Sequence, residues 1–205
     1  ESEARYRILA DATPVIIWIS DAEGGIRFAN RAYTEFFGVT LEQVIGDRWR
    51  TLVHPEDDER HARLYFECLR ERKPFRMRVR VRRGDGEWRW IDSYGQPYFS
   101  ETGEFLGMAG SSLDVTERKQ AEDALRESEG RFRLLANATP VIIWVVDAEG
   151  EIRFINRAYT EFFGATVAEI KTTGWQPLVH PEDRAGYTEA FLESLRERKP
   201  FRAEA

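Results

Sequence analysis

The sequence predicts an α+β fold built twice, and three observations carry that prediction. The first is an internal repeat: laying Glu1 on Glu127 aligns the remaining residues without a gap, at about 60% identity. The second is the order of elements in the fuller copy. Two strands, a cluster of short helices and one longer helix are followed by a three-stranded meander, all in about 100 residues. The third is a charged helical stretch between the copies, opened by Asp114-Val115-Thr116 and running through Glu117–Glu129 to about Leu135. Arg31–Gly38 recurs as Arg157–Gly164, His54–Asp57 as His180–Asp183, and Arg70–Arg76 as Arg196–Arg202. The match fades at Leu41–Arg50 and at Asp58–Phe66. Met77–Asp114 has no counterpart in the second copy, which is therefore expected to lack its last three strands.

Glu1–Ala10 repeats Glu127–Ala136, so the chain opens on the end of a similar helix, with Pro14 marking its limit. Val15–Ser20, β-branched and carrying Trp18, reads as a strand. It is apolar on both faces, which implies a sheet covered on both sides there. Asp21–Gly25 is a turn and Ile26–Ala29 a returning strand. Asn30 can cap a short helix, Arg31–Phe37, that Gly38 closes. Thr40 with Gln43, and Thr166 with Glu169, have capping-box spacing.

His54-Pro55-Glu56-Asp57 opens the longest helix of the copy, to about Arg72: Pro55 suits the first helical position, and the two acids favour the positive end of the dipole. His54 and His180 fit capping or packing roles there. The apolar stripe is His61, Leu64, Tyr65, Cys68 and Leu69, answered by Tyr187, Ala190, Phe191, Ser194 and Leu195. Pro74 ends it. Phe75–Arg82 alternates apolar residues with arginines. Gly84-Asp85-Gly86 turns the chain into a long strand, Glu87–Ser100, expected to break near Gly95–Pro97. Glu104–Leu113 returns to Asp114, whose carboxylate and Glu117 have capping-box spacing for the linker helix. Along that helix Ala121, Leu125, Ser128, Phe132 and Leu135 alternate four- and three-residue steps, the spacing of a paired-helix seam.

Composition bounds the function. The 205 residues are 42% hydrophobic and 32% charged, the profile of a soluble globular protein. A net charge of −6 argues against bulk nucleic-acid binding and against an anionic membrane surface. One cysteine, Cys68, excludes a disulfide framework within the chain and suits a reducing cytoplasm. No signal peptide is recognisable, and the longest apolar runs are far too short to cross a bilayer. The chain begins without Met and stops at Phe201-Arg202-Ala203-Glu204-Ala205, so a longer protein is expected, continuing with strands like Met77–Leu113. Three histidines, one cysteine and scattered carboxylates form no nucleophile–base set, and neither a phosphate-binding glycine loop nor metal-ligand spacing is present. No enzyme is expected in these residues.

Several motifs occur together: Asn30 after the second strand, Trp49 with His54–Asp57, Arg83–Gly86 followed by Trp88-Arg89-Trp90-Ile91, and the terminal Asp114-Val115-Thr116. The second copy carries Asn156, Trp175 and His180–Asp183. In this set the chain resembles tandem PAS domains of the subgroup with a long central helix. The resemblance implies a five-stranded antiparallel sheet with helices over one face and a pocket between them. It also implies a sensory or dimerisation module of the kind found in bacterial histidine kinases and cyclic-dinucleotide enzymes. The expected boundaries are an N-terminal helix over 1–9, a first domain over 10–114, a signalling helix over 115–135 and a truncated second domain over 136–205.

The candidate pocket for a small organic ligand is lined by Trp18, Phe28, Tyr33, Phe37, His61, Tyr65, Val79, Ile91, Met108 and Ser112, with a filled core as the rival reading. A flavin photosensor would need a reactive cysteine motif, which Cys68 lacks. Haem would use His61, with Tyr187 as its counterpart, against an ordinary core histidine. No cofactor is the expectation. The stripe Arg76, Arg78, Arg80, Arg82 with Arg83 and Arg89 fits a solvated or dimer-facing sheet surface better than nucleic acid. The functional expectation is a cytoplasmic, homodimeric, non-catalytic sensory module. A change in its pocket or sheet would shift Glu104–Leu113, and Asp114 and Thr116 would pass it to a helix paired through Ala121, Leu125, Phe132 and Leu135. The alternatives are a ligand-free dimerisation spacer and a haem-based gas sensor acting through His61.

Overall fold

β-branched and aromatic residues at alternate positions, punctuated by glycine turns, give the first copy its sheet. The computed structural model describes residues Ser2–Arg202; Glu1 of the expected opening helix and Ala203–Ala205 of the second copy lie outside the described residues. The elements run α1 (Ser2–Asp11), β1 (Ile16–Ser20), β2 (Ile26–Ala29), α2 (Arg31–Phe37), α3 (Leu41–Val44), a 3-10 turn (Arg48–Leu52), and α4 (Pro55–Glu71). Then follow β3 (Phe75–Arg82), β4 (Trp88–Phe99), β5 (Phe105–Asp114) and the helix α5 (Thr116–Ala138). The five strands are antiparallel in the order β2-β1-β5-β4-β3, so the return of β5 to the centre joins the opening hairpin to the meander. Helices α2, α3 and α4 pack on one face of this sheet.

Local chemistry fixes the parts that position the site. Asn30 is buried and makes four bonds: Oδ1 accepts from Ile17 N (2.9 Å) and Tyr33 N (3.1 Å), while Nδ2 donates to Ala10 O and Val15 O. It therefore caps α2 and ties β1 and α1 to it. Gly38 closes α2 in the left-handed region at φ 64°, with Gly84 so near that a side-chain carbon on Gly38 would meet the Gly84 Cα at 2.8 Å. At α4, His54 Nδ1 accepts from Glu56 N (3.2 Å), a ring nitrogen doing the work of a capping oxygen. On β3 the apolar residues are buried and Arg76, Arg78 and Arg82 exposed, as the alternation requires.

Four sequence readings are corrected. Phe28 faces away from the pocket. A bulge opposite Ile19/Ser20 pairs Trp18 with Ala29 and Ile19 with Phe28, which turns Phe28 to the outer face. The long strand does not break at Gly95–Pro97: β4 stays paired with β5 through Gln96↔Ala109 and Pro97↔Met108. Pro97 is tolerated because β3 ends at Phe75↔Gly95, so no neighbour on that side needs its missing N–H. On α4, Leu64 is exposed and Ala62 is buried instead. The Asp114 carboxylate accepts from Thr116, through both its N–H and its hydroxyl, rather than forming a capping box with Glu117.

The chain divides into two compact units whose boundary, Asp123/Ala124, falls inside α5. The second unit contains β6 (Trp144–Val146), β7 (Ile152–Ile155), α6 (Arg157–Phe163), α7 (Val167–Thr173), a 3-10 turn (Gln176–Leu178) and α8 (Arg184–Glu197). β6 is only three residues long and pairs with β7 alone among the described residues. Ile152, Ile155, Tyr159 and Ile170 form its buried core. Among the described residues no helix is long and apolar enough to cross a membrane.

Candidate functional site

Between the inner face of the first sheet and helices α2 and α4 lies a cavity of about 60 Å³. Trp18, Tyr33, Phe37, His61, Tyr65, Val79, Ile91 and Ser112 of the expected set meet there. Phe28 does not, for the reason given above. Met108 is fully buried but does not line the cavity; its N–H donates to Ser20 Oγ (3.2 Å). Trp49, Phe75, Val81 and Ser93 line it and were not anticipated. Three of these were within reach of period-two counting: Phe75 and Val81 share the face of Val79, and Ser93 that of Ile91.

The lining is apolar with a short polar edge. Trp18 Nε1 donates to Ser112 Oγ (3.3 Å), and Ser112 Oγ lies 3.0 Å from Ser93 Oγ. Tyr65 OH donates to Ser20 Oγ (2.8 Å). The Trp18 indole fits because Gly110 lies opposite: a Cβ there would come within 2.3 Å of the ring. His61 Nδ1 is buried without a hydrogen-bond partner, and its ring meets Trp49 edge-on at 5.2 Å. Burial pushes the imidazole pKa down to about 4, so it is neutral at pH 7. Burial likewise raises Tyr33, and raises Tyr65 to about 12. The site is thus uncharged and suits small neutral groups. Ligand pockets for organic cofactors run to about 300–1,000 Å³. This cavity and the one of about 140 Å³ beside Tyr187 in the second unit are both smaller than that.

A second constellation lies where β5 meets α5. Asp114 Oδ1 accepts from Thr116 N (2.9 Å) and Thr116 Oγ1 (2.6 Å), and Oδ2 accepts from Arg89 Nε (2.9 Å). Thr116 Oγ1 in turn accepts from Trp90 N (2.7 Å), and Val115 N donates to Trp90 O (2.8 Å). Burial works to raise the Asp114 carboxyl, but the bonds from Thr116 and Arg89 outweigh it and hold it below its usual range. The first turn of α5 is therefore anchored to β4 on both sides of Trp90.

Most of the arginine stripe is paired with carboxylates. Arg78 and Arg76 pair with Asp92, while Arg80 reaches Glu56 (2.8 Å) and Asp57 (2.8 and 2.9 Å). Asp57 Oδ2 also accepts Arg80 N (3.0 Å), so a buried carboxylate pins the start of α4 to β3. The Arg80 hydrogen bonds lower its pKa to about 2. Sequence reading gave Asp57 a dipole role alone; its strand partner lies 23 residues away, beyond any local pattern. Along α5, Ala121 is exposed, with Leu125 (63%) and Leu135 (62%). Phe132 is partly engaged within the second unit, its ring 5.1 Å from Phe154.

A profile described as PAS fold matches residues 26–112, and one described as PAS domain matches residues 130–196. The uncharacterised protein y4lL of Sinorhizobium fredii is 41% identical over 122 residues, covering 60% of this chain and 15% of that protein. The two-component sensor PprA of Pseudomonas aeruginosa is 28% identical over 202 residues, covering 96% of this chain and 22% of its own length. The chain therefore spans less than a quarter of either relative. Among solved structures, a PAS domain from Colwellia psychrerythraea aligns with TM-score 0.50 at 23% identity, covering 57% of this chain and 99% of that one. An RNA-binding light-oxygen-voltage receptor aligns with TM-score 0.55 at 21% identity, covering 62% and 37%, a likeness of fold alone. With both copies matched and the five-stranded sheet in place, the chain belongs to the PAS family, as two tandem PAS sensory domains related to those of sensor kinases.

Proposed function

We propose that the chain is the sensory and dimerisation segment of a longer cytoplasmic signalling protein, with the output activity outside these residues. The observation that carries this reading is the junction: Asp114 and Thr116 lock the start of a 23-residue helix to β4, and that helix presents Ala121, Leu125 and Leu135 to solvent. A shift of β5 driven from the cavity would move the first turn of α5, and paired helices would pass it on. Relatives named as sensors fit this assignment. Dimerisation is tested by analytical ultracentrifugation: the protein should be dimeric, and Leu125→Glu, placing a charge in the seam, should weaken the dimer. A monomer at high micromolar concentration overturns the reading.

A second reading, a spacer that dimerises without any ligand, is favoured by the small cavity, which side chains of the domain itself nearly fill. Native mass spectrometry with an absorbance spectrum separates the two. A bound small molecule at the mass of one occupant per first domain supports sensing; a bare polypeptide mass supports the spacer.

A further inference from the structure

Trp90 lies at the meeting point of two ion pairs that belong to different helices. The Arg80 guanidinium rests over its ring, 5.5 Å from the centroid, and the Lys119 ammonium rests 5.4 Å from the same centroid. Arg80 is held by Asp57 at the start of α4, and Lys119 by Asp123 one turn along α5 (2.8 Å). The strand pairing puts Arg80 directly across from Trp90. The Trp90 backbone is clamped by Val115 and Thr116. Asp57, Arg80, Trp90 and Lys119 thus form one connected set of contacts from the long helix over the cavity to the first turn of the linker. It rounds the β3 edge of the sheet from α4 to the opposite face, where Arg80, Trp90 and Lys119 lie, and it includes no residue of β5.

We propose that Trp90 is a coupling residue, through which a displacement of α4 relative to β3 reaches the linker helix at Lys119, in parallel with the Asp114–Thr116 junction. This rests on the relay reading above and names a second route within it. The physical basis is the dependence of a cation–aromatic contact on where the cation sits. Arg80 is positioned by two carboxylates of α4, so a movement of the α4 N-terminus carries the guanidinium across the ring. The ring, fixed through its backbone to α5, then changes its fit to Lys119. Coupling of this kind is reciprocal, so each helix end must sense loss of the contact at the other.

Hydrogen exchange on the full 205-residue protein tests this. The Asp57 and Asp58 amides donate to His54 O, and the Lys119 amide donates to Val115 O, so both helix starts have reporters. Lys119→Gln should speed exchange at Asp57 and Asp58 about threefold, and Asp57→Asn should speed the amide of residue 119 by a similar factor. Combining them should give less than the product of the two effects. In a Trp90→Leu background Lys119→Gln should no longer reach α4, and Asp123→Asn, which frees Lys119 without removing it, should have little effect there. Changes confined to the helix that carries the substitution, or effects that simply multiply, overturn the proposal. Where Asp57→Asn fails to fold, Lys119→Gln decides alone: no change at Asp57 and Asp58 overturns it. Failure of the relay reading looks different. Parent output would then survive Asp114→Ala while this exchange coupling persists.

Discussion

The two PAS copies share their helical caps and differ in their sheets, and the contrast separates what each half of the fold supplies. Asn156 repeats the four bonds of Asn30, to Ile143 N, Tyr159 N, Ala136 O and Val141 O. Tyr33 and Tyr159 are equally buried, at 5% exposure each. The cap is thus built in the same way in both copies, within the first eighty or so residues of each. The sheet side is not. Trp18 is 7% exposed, stacked on Phe75 and bonded to Ser112, whereas Trp144 is 38% exposed and leans on Phe191. The cavity grows from about 60 to about 140 Å³. Strands β3–β5 are what close the pocket, and they also supply every partner of the α5 junction.

The sharpest way to break this comparison is at the shared cap. Asn30→Ala strands buried backbone donors and should destabilise the first domain by about 3 kcal/mol in urea unfolding. Asn156→Ala removes the same bonds and should melt the second cap to the same degree. A cost below about 1 kcal/mol for Asn30→Ala would show the cap to be held by packing instead. Next in size is Asp57→Ala, which leaves Arg80 with Glu56 as its remaining carboxylate partner and should cost about 2 kcal/mol. Its equivalent Asp183 makes no side-chain bond among the described residues, so Asp183→Ala should cost nothing measurable. Equal costs would mean that the ion pair with β3 is not what holds α4.

A third test uses pH. His61 is depressed by burial to about 4, with Asp58 and Asp57 opposing and Arg60 and Arg50 assisting. A base whose folded pKa lies below its unfolded value of about 6.5 binds fewer protons folded than unfolded in that window. The first domain should therefore lose stability as pH falls from about 6.5 to 4, and His61→Gln should flatten that loss. An unchanged slope in His61→Gln assigns the pH dependence to other groups. A smaller loss than those at Asn30 and Asp57 is expected at Asp114→Ala, about 1 kcal/mol, read as faster exchange at the start of α5 with the core intact.

What the sequence revealed follows from how far apart the interacting residues lie. The caps made by Asn30 on Tyr33, by Gly38, by His54 and by Thr166 act within a few residues, and local patterns sufficed for them; the bonds of Asn30 to Ala10, Val15 and Ile17 lay beyond such patterns. The alternation of β3 placed Val79 inward and the arginines outward. Phe28 was misplaced because a bulge leaves no mark in the apolar pattern. Pro97 suggested a break because proline normally ends central pairing, whereas here the adjacent strand has already stopped. The partners of Asp57, and the two cations over Trp90, depend on strand register, which no single stretch encodes.

Hydrogen exchange along the two opening strands tests most directly whether β3–β5 complete the domain. Ile16–Ile19 in the first copy pairs with both β2 and β5, while its counterpart in the second has β7 as its neighbour. At dilutions where the protein is monomeric, amides of Ile16–Ser20 should be protected at least about a hundredfold more than those of Ile142–Val146. Equal protection in the two segments would contradict the account, because it would mean that the second copy holds its sheet without the strands that close the first.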